Sequence, residues 1–275
     1  MTKVMRPALR YFGGKWLAGS WIVGNLPPHE CYVEPFGGAA SVLLKKPESP
    51  IEVYNDIDGD VVNFFQVLRE QPTALIEQIR LTPFARAEQR QSKQRGGDLS
   101  PLERARRMYV DSWQSFGMLA AGGGWRFMAE LKRATIPAHD WAKVDYLYAI
   151  AERFSRVQID SDDAVKVIER FDSPTTLFYV DPPYMHDTRT ITAGYRHEID
   201  TAKHEELLAA LVGVSGSVVL SGYDSDLYND TLTGWERIER QIQTNATDAR
   251  KATEVLWIKR NMANEMQPAL FTEAA

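Results

Sequence analysis

The 275-residue chain has one cysteine, Cys31, which excludes an internal disulfide framework and any cysteine-based zinc site. Its five histidines, His29, His139, His186, His197 and His204, show no metal-ligand spacing and form no His-acid-nucleophile set. We therefore expect no metal. No apolar run is long enough to span a bilayer, and no basic-then-apolar signal segment opens the sequence. A cytoplasmic protein without a membrane partner is expected. The dinucleotide fingerprint GxGxxG is also missing, which argues against a nicotinamide enzyme.

Positive charge is scarce, with 32 Lys and Arg against 37 Asp and Glu and a net charge of −5. That balance does not advertise a nucleic-acid partner, but its distribution is uneven. Residues 69–133 hold twelve Lys and Arg against seven Asp and Glu, a net +5, so the rest of the chain carries −10. A basic segment in an acidic chain is the footprint expected if only that part meets phosphates. A solvated helical face would give the same count.

What is present is an ordinary globular composition, 44% hydrophobic and 25% charged, at a length that fits one large domain or a domain with an insertion. Apolar β-type runs fall at 31–33, 51–54, 157–159, 177–180, 217–220 and 255–258, with helical patterns at 39–44, 60–68, 164–170 and 201–211. Strands alternating with helices predict βαβ units and a mainly parallel sheet with right-handed crossovers. Between Leu68 and Asp145 no strand is predicted. Helical stretches around 74–80 and 101–118 lie there instead, separated by breakers at Pro72, Pro83, Gly96-Gly97, Gly122-Gly123-Gly124 and Pro137. A structureless loop of that length is improbable, so the segment reads as a helical insertion, and it coincides with the basic region.

The strongest motif is Asp181-Pro182-Pro183-Tyr184, which follows the apolar run Leu177-Phe178-Tyr179-Val180. Such a run bounded by a turn signal predicts a buried parallel strand, and ligands sit at the carboxyl ends of such strands. Proline fixes its own φ and restricts the preceding residue, so Asp181 and Pro182 are held rigidly. Pro182 keeps a carbonyl acceptor, and Asp181 supplies a second. Two acceptors facing one NH2 group draw its protons aside and free the nitrogen lone pair. Tyr184 offers a ring on which an unstacked base lies, a contact worth about 1–3 kcal/mol. Asp-Pro is also ordinary turn punctuation.

The first strand leads into Glu34-Pro35-Phe36-Gly37-Gly38-Ala39-Ala40, where adjacent glycines allow a sharp turn and close approach to a ligand. The second ends in Asn55-Asp56-Ile57-Asp58, placing Asp56 to accept hydrogen bonds from ribose hydroxyls, with Asp58 as a helix cap. Upstream, Tyr11-Phe12-Gly13-Gly14-Lys15 opens a helix at Trp16; Lys15 reaches for an anion or stands on a plain surface turn. His204 is expected to lie exposed in the first turn of a helix capped by Asp200.

Together these motifs resemble the Dam-type, D12-class DNA N6-adenine methyltransferases, phage-encoded members included, over nearly the whole chain. Tyr11 to Lys15 matches the N-terminal cofactor motif, Glu34 to Ala40 the Phe-x-Gly-x-Gly turn, and Asp56 the ribose-binding acid. Val157-Gln158-Ile159 with Asp163 resembles the third-strand motif, whose acid lies near the cofactor adenine; Asp160 and Asp162 beside it read as solvated. Residues 217–223 and 254–260 are similar to the late strands that complete the target-base pocket. Ala40 departs from the pattern, standing where the family usually has its last glycine, and alanine at a helix start is tolerable.

The resemblance implies a Rossmann-like methyltransferase fold, a mixed, mainly parallel sheet flanked by helices. Residues 1–70 and 145–275 would form the catalytic domain, and 71–144 a helical target recognition domain. It implies S-adenosylmethionine as methyl donor, held by Tyr11, Lys15, Glu34, Pro35, Phe36, Gly37, Gly38, Asp56, Asp163 and Asp181. Lys15 would meet the methionine carboxylate. Transfer to N6 of an adenine flipped from double-stranded DNA would be a direct in-line displacement without covalent enzyme intermediate. Arg86, Arg90, Lys93, Arg95, Arg126 and Arg133 are the candidate DNA contacts of the insertion, and Arg104, Arg106 and Arg107 read as ordinary surface charge. Residues 186–197, with Arg189 and Tyr195 as further DNA contacts, would form a flap over the base. The chain is expected to act as a monomer. An RNA adenine methyltransferase and an inactive nucleic-acid-binding relative are the alternatives.

Overall fold

Two strands buried along their full length lie side by side at the centre of the molecule, β1 (Cys31–Glu34) and β4 (Thr176–Val180). The computed structural model describes residues 4–116, 123–130, 136–185, 197–243 and 251–261. Around the central pair, β2 (Ile51–Asn55), β3 (Gln158–Asp160), β5 (Ser217–Gly222), β6 (Glu236–Gln243) and β7 (Lys251–Lys259) complete a seven-stranded sheet of order β3-β2-β1-β4-β5-β7-β6. The first five strands are parallel, and β7 runs antiparallel to both β5 and β6.

The two-residue period of the strands divides the core. Tyr32, Tyr54, Leu177 and Tyr179 face one layer with α2 (Gly59–Glu70) and α7 (Tyr146–Phe154). Val33, Val53, Phe178 and Val180 face the other, with α8 (Ala164–Phe171) and α9 (Thr201–Gly213). Burial on both faces is why the central strands read as unbroken apolar runs. Helix starts follow local capping: Asp58, Asp163 and Asp200 each accept a backbone N–H of the first turn. Ser100 does the same for α5 (Pro101–Gln114), accepting from Glu103 N.

The helices after α2 extend its layer. Leu75, Ile76 and Ile79 of α3 (Pro72–Leu81), Met108, Tyr109 and Trp113 of α5, and Trp141 of α6 (Pro137–Trp141) join one continuous cluster with Phe64 and Phe65. Tyr109 stacks on Phe64 at 6.2 Å between centroids. A short α4 (Arg86–Gln91) packs beside α5.

Four expectations need correction. Residues 39–44 form successive turns rather than a helix. Ala40 adopts φ +53°, and the Leu43 N–H donates to Glu34 Oε1 at 2.7 Å instead of continuing a helical ladder. Near the N-terminus, turns occupy Trp16 to Ala18 and α1 (Gly19–Val23) begins only after them. α5 stops at Gln114, because Phe116 N–H donates to Gly124 O and Arg126 N–H to Gln114 O, a bridge that turns the chain back. β6 carries no strand signal in the sequence: Glu236-Arg237-Ile238-Glu239-Arg240 is a charged, solvent-facing edge, the composition that keeps sheet edges from pairing further.

Candidate active site

The turns after β1, β2 and β4 meet at one edge of the sheet. Asn55 ties the turn after β2 to those after β1 and β3: its Nδ2 donates to Pro35 O at 2.8 Å and Asp162 O at 3.1 Å, and its Oδ1 accepts from Asp162 N. Gly37 N–H donates to Asn55 O at 2.8 Å. A Cβ at Gly37 would lie 2.2 Å from the Tyr54 ring, so glycine is required there by the packing of β2, not by a ligand. Gly38 sits at φ +47°, with its N–H on Asp56 Oδ2 (2.7 Å) and its carbonyl accepting from the Tyr54 hydroxyl (2.7 Å).

These turns enclose a cavity of about 780 Å3, its open mouth included. Tyr11, Lys15, Glu34, Phe36, Gly37, Gly38, Asp56 and Asp181 all line it, so eight of the predicted cofactor residues come together from four segments of chain. Pro35 does not line it, and its carbonyl is taken by Asn55. Asp163 does not line it either; its carboxylate caps α8, accepting from Val165 N at 3.0 Å. Its neighbours Asp160 and Asp162 pair with Arg170.

Three carboxylates line the cavity, Glu34, Asp56 and Asp181. Asp56 is buried and accepts the Asp58 and Gly38 amides; burial nonetheless raises its pKa to about 6. Glu34 is buried too, its Oε1 accepting from Tyr32 Oη (2.6 Å) and Leu43 N, and burial lifts it to about 7. Asp181 follows β4 and keeps partial access to solvent. Its Oδ1 lies 2.9 Å from Lys15 Nζ and accepts from Ser221 Oγ at 2.9 Å. Lys15 also donates to Gly13 O and lies 3.7 Å from Glu254 Oε1. Lys15 thus bridges Asp181 and Glu254.

Tyr184 differs from expectation. Its ring is 7% exposed, with Lys15 Nζ 4.6 Å from its centroid, Tyr223 edge-on at 4.5 Å, and its hydroxyl donating to Glu254 Oε1 at 2.6 Å. The ring is packed by neighbours rather than standing open, and it does not line the cavity. Pro183 lines the cavity, whereas Pro182 is buried behind it.

The basic candidates divide. Arg90 is exposed, and Arg86 is exposed with its guanidinium 5.1 Å from the Trp125 ring. Lys93 donates to Gly123 O, and Arg126 lies 3.8 Å from Asp140. Arg95 is withdrawn from solvent: it pairs with Asp60 and Asp111, both at 3.0 Å, because the α2–α5 junction buries two carboxylates that need a cation. Nor are Arg104, Arg106 and Arg107 loose surface charge, since they pair with Asp60, Glu88 and Glu103. Arg133, Arg189 and Tyr195, with the flap at 186–196, lie outside the described residues. His204 is buried, not exposed, its Nδ1 hydrogen-bonded with the Tyr228 hydroxyl at 2.7 Å.

Sequence reasoning placed Ser221, Glu254 and His197 inside the stretches 217–223, 254–260 and 186–197 without singling them out. Ser221 ends an apolar strand, Glu254 precedes one, and His197, a lining residue, has no motif around it. Among the described residues no cluster fit for a metal occurs, and no helix is long and apolar enough to cross a membrane.

The cavity presents acceptors at Asp56 beside a left-handed glycine, an apolar stretch at Phe36 and Ile57, and an ammonium at Lys15. Strand order, the antiparallel β7 and this carboxylate-lined cleft at the parallel strand ends define a Rossmann-like methyltransferase.

Comparison with known proteins narrows the class. The family described as D12 class N6 adenine-specific DNA methyltransferase matches residues 11–246, and the chain belongs to that family. It is an adenine-specific DNA methyltransferase. Among its relatives, the DNA adenine methylase of Escherichia coli is 24% identical over 269 residues, spanning 92% of this chain and 95% of the relative. The DNA adenine methylase of Vibrio cholerae is 36% identical over 80 residues, 28% of each chain. An rRNA methyltransferase, aviRa from Streptomyces viridochromogenes, superposes with a TM-score of 0.40 at 13% identity, covering 98% of this chain and 94% of that one.

Proposed function

We propose that the cavity binds S-adenosylmethionine and that Asp181 receives the exocyclic amine of an adenine flipped out of double-stranded DNA. Bound there, S-adenosylmethionine supplies an electrophilic methyl group. Asp56 accepts from its ribose hydroxyls, Phe36 and Ile57 cover its adenine, and Lys15 meets its carboxylate. Asp181 keeps Oδ2 for an N6 proton while Lys15 and Ser221 fix Oδ1. Positive charge develops on N6 during transfer, and a preset carboxylate stabilises it without reorganising. The Pro182 carbonyl is the second acceptor.

The helices of residues 71–144 form the target recognition domain that makes the enzyme site-specific. The exposed guanidinium groups of Arg86 and Arg90 support this reading. The enzyme acts as a cytoplasmic monomer.

The observation that carries the proposal is Asp181 in the wall of the same cavity as Asp56. Asp181→Ala is expected to slow methyl transfer by about 10²–10³-fold or more while DNA and cofactor binding persist. Unchanged transfer of labelled methyl groups to duplex DNA would remove Asp181 from its role.

A further inference from the structure

Glu254 is 1% exposed, does not line the cavity, and opens a run of buried apolar side chains, Val255-Leu256-Trp257-Ile258. A carboxylate in that position is costly unless held. The antiparallel course of β7 explains its location: Gly222 at the end of β5 pairs with Val255, so Glu254 falls at the edge where the parallel strands end. There its Oε1 accepts from Tyr184 Oη at 2.6 Å and lies 3.7 Å from Lys15 Nζ. Lys15 in turn stands 2.9 Å from Asp181 Oδ1 and 4.6 Å from the centre of the Tyr184 ring. Two carboxylates, one ammonium and one phenol thus close a circuit joining the first and last residues of the Asp-Pro-Pro-Tyr motif.

We propose that Glu254 is a positioning residue for methyl transfer, setting the plane of the Tyr184 ring through its hydroxyl and the place of Lys15 over Asp181. The proposal rests on the role given to Asp181 above. A merely structural carboxylate would hold β7 in the sheet and leave the reaction rate alone. A positioning carboxylate couples to Tyr184 in the rate itself. Small displacements of groups around a reacting centre cost up to about 10²-fold. Burial pushes the Glu254 pKa up, and the Lys15 ammonium opposes that shift.

The test is a double-mutant cycle in single-turnover methylation of a duplex carrying one target adenine, with Asp181→Ala as control. Glu254→Ala is expected to slow the step by about 10–100-fold, and to cost several-fold less in a Tyr184→Phe background, where the hydroxyl link is already gone. Glu254→Gln keeps an acceptor for the hydroxyl but no charge for Lys15. It should preserve the fluorescence rise of 2-aminopurine at the target position, which Glu254→Ala should diminish, while still slowing transfer. Should Glu254→Ala fail to fold, the Glu254→Gln rate and fluorescence decide alone. Wild-type rates in Glu254→Gln, or effects of Glu254→Ala and Tyr184→Phe that simply multiply, would overturn the proposal. An active Asp181→Ala would instead mark failure of the underlying site reading.

Discussion

Ala40 holds a left-handed backbone, φ +53°, two residues after Gly38 at φ +47°. For a residue with a Cβ this conformation costs roughly 1–2 kcal/mol, and the turn keeps it because Ala40 is fully buried beneath the cavity rim. The sequence pattern locates the departure from the family at this position but not its nature. A helix start tolerates alanine, a left-handed turn does not, and only the observed backbone distinguishes them. Ala40→Gly removes the strain but loosens the unfolded chain by about 0.4–1 kcal/mol. Glycine also gives up the buried methyl of Ala40, about 0.8 kcal/mol, so the terms nearly cancel and the net expectation is a change of less than about 1 kcal/mol, read from the urea midpoint at unchanged slope. A destabilisation of several kcal/mol would show that the turn holds Ala40 without strain. Asp181, Asp56 and Lys15 were legible because each adjoins a local signal: proline, strand end or paired glycines. Tyr184 was legible as a member of the motif but not as a buried ring, since Lys15, Tyr223 and Glu254 reach it from distant segments.

At the scale of elements, the charge count of the helical segment misleads. Arg95, Arg104, Arg106 and Arg107 are spent inside it, stitching α4 and α5 together and α5 to α2 through Asp60, Glu88, Glu103 and Asp111. Removing one partner of a buried pair typically costs about 3–5 kcal/mol, and Asp60 retains Arg104, so Arg95→Met is expected to cost about 2–3 kcal/mol. Its effect on DNA binding should be confined to that stability loss. Arg90 is exposed on α4 and is the opposite case. Arg90→Ala should leave unfolding unchanged while lowering the slope of log affinity against log salt by about 1. Equal salt slopes for wild type and Arg90→Ala would withdraw Arg90 from the DNA-binding face.

For the molecule as a whole, the concentration of buried carboxylates at one sheet edge links folding to pH. Burial raises Asp56 to about 6 and Glu34 to about 7, and lifts Glu254 as well. A raised carboxyl pKa means that the folded state holds the proton more tightly. The stability this contributes is complete below the ordinary carboxylate range near 4 and is lost as pH rises through about 6 and 7. Asp56→Asn should therefore lose less stability than wild type between pH 5 and 8, a difference of about 1–1.5 kcal/mol. Urea unfolding without cofactor at both pH values measures it; parallel losses in the two proteins would contradict the assignment.

The sequence by itself determined the alternation of strands and helices, the parallel centre of the sheet and the stations of Asp56 and Asp181. Hydrophobic period, proline and glycine act within a few residues of where they stand. Tertiary structure alone decided that β7 runs backward and delivers Glu254 to the site, that Arg95 faces inward, and that Lys15 rests on Asp181. Those outcomes depend on which buried charge meets which partner across the chain, and pairing at such separations leaves no local pattern to read.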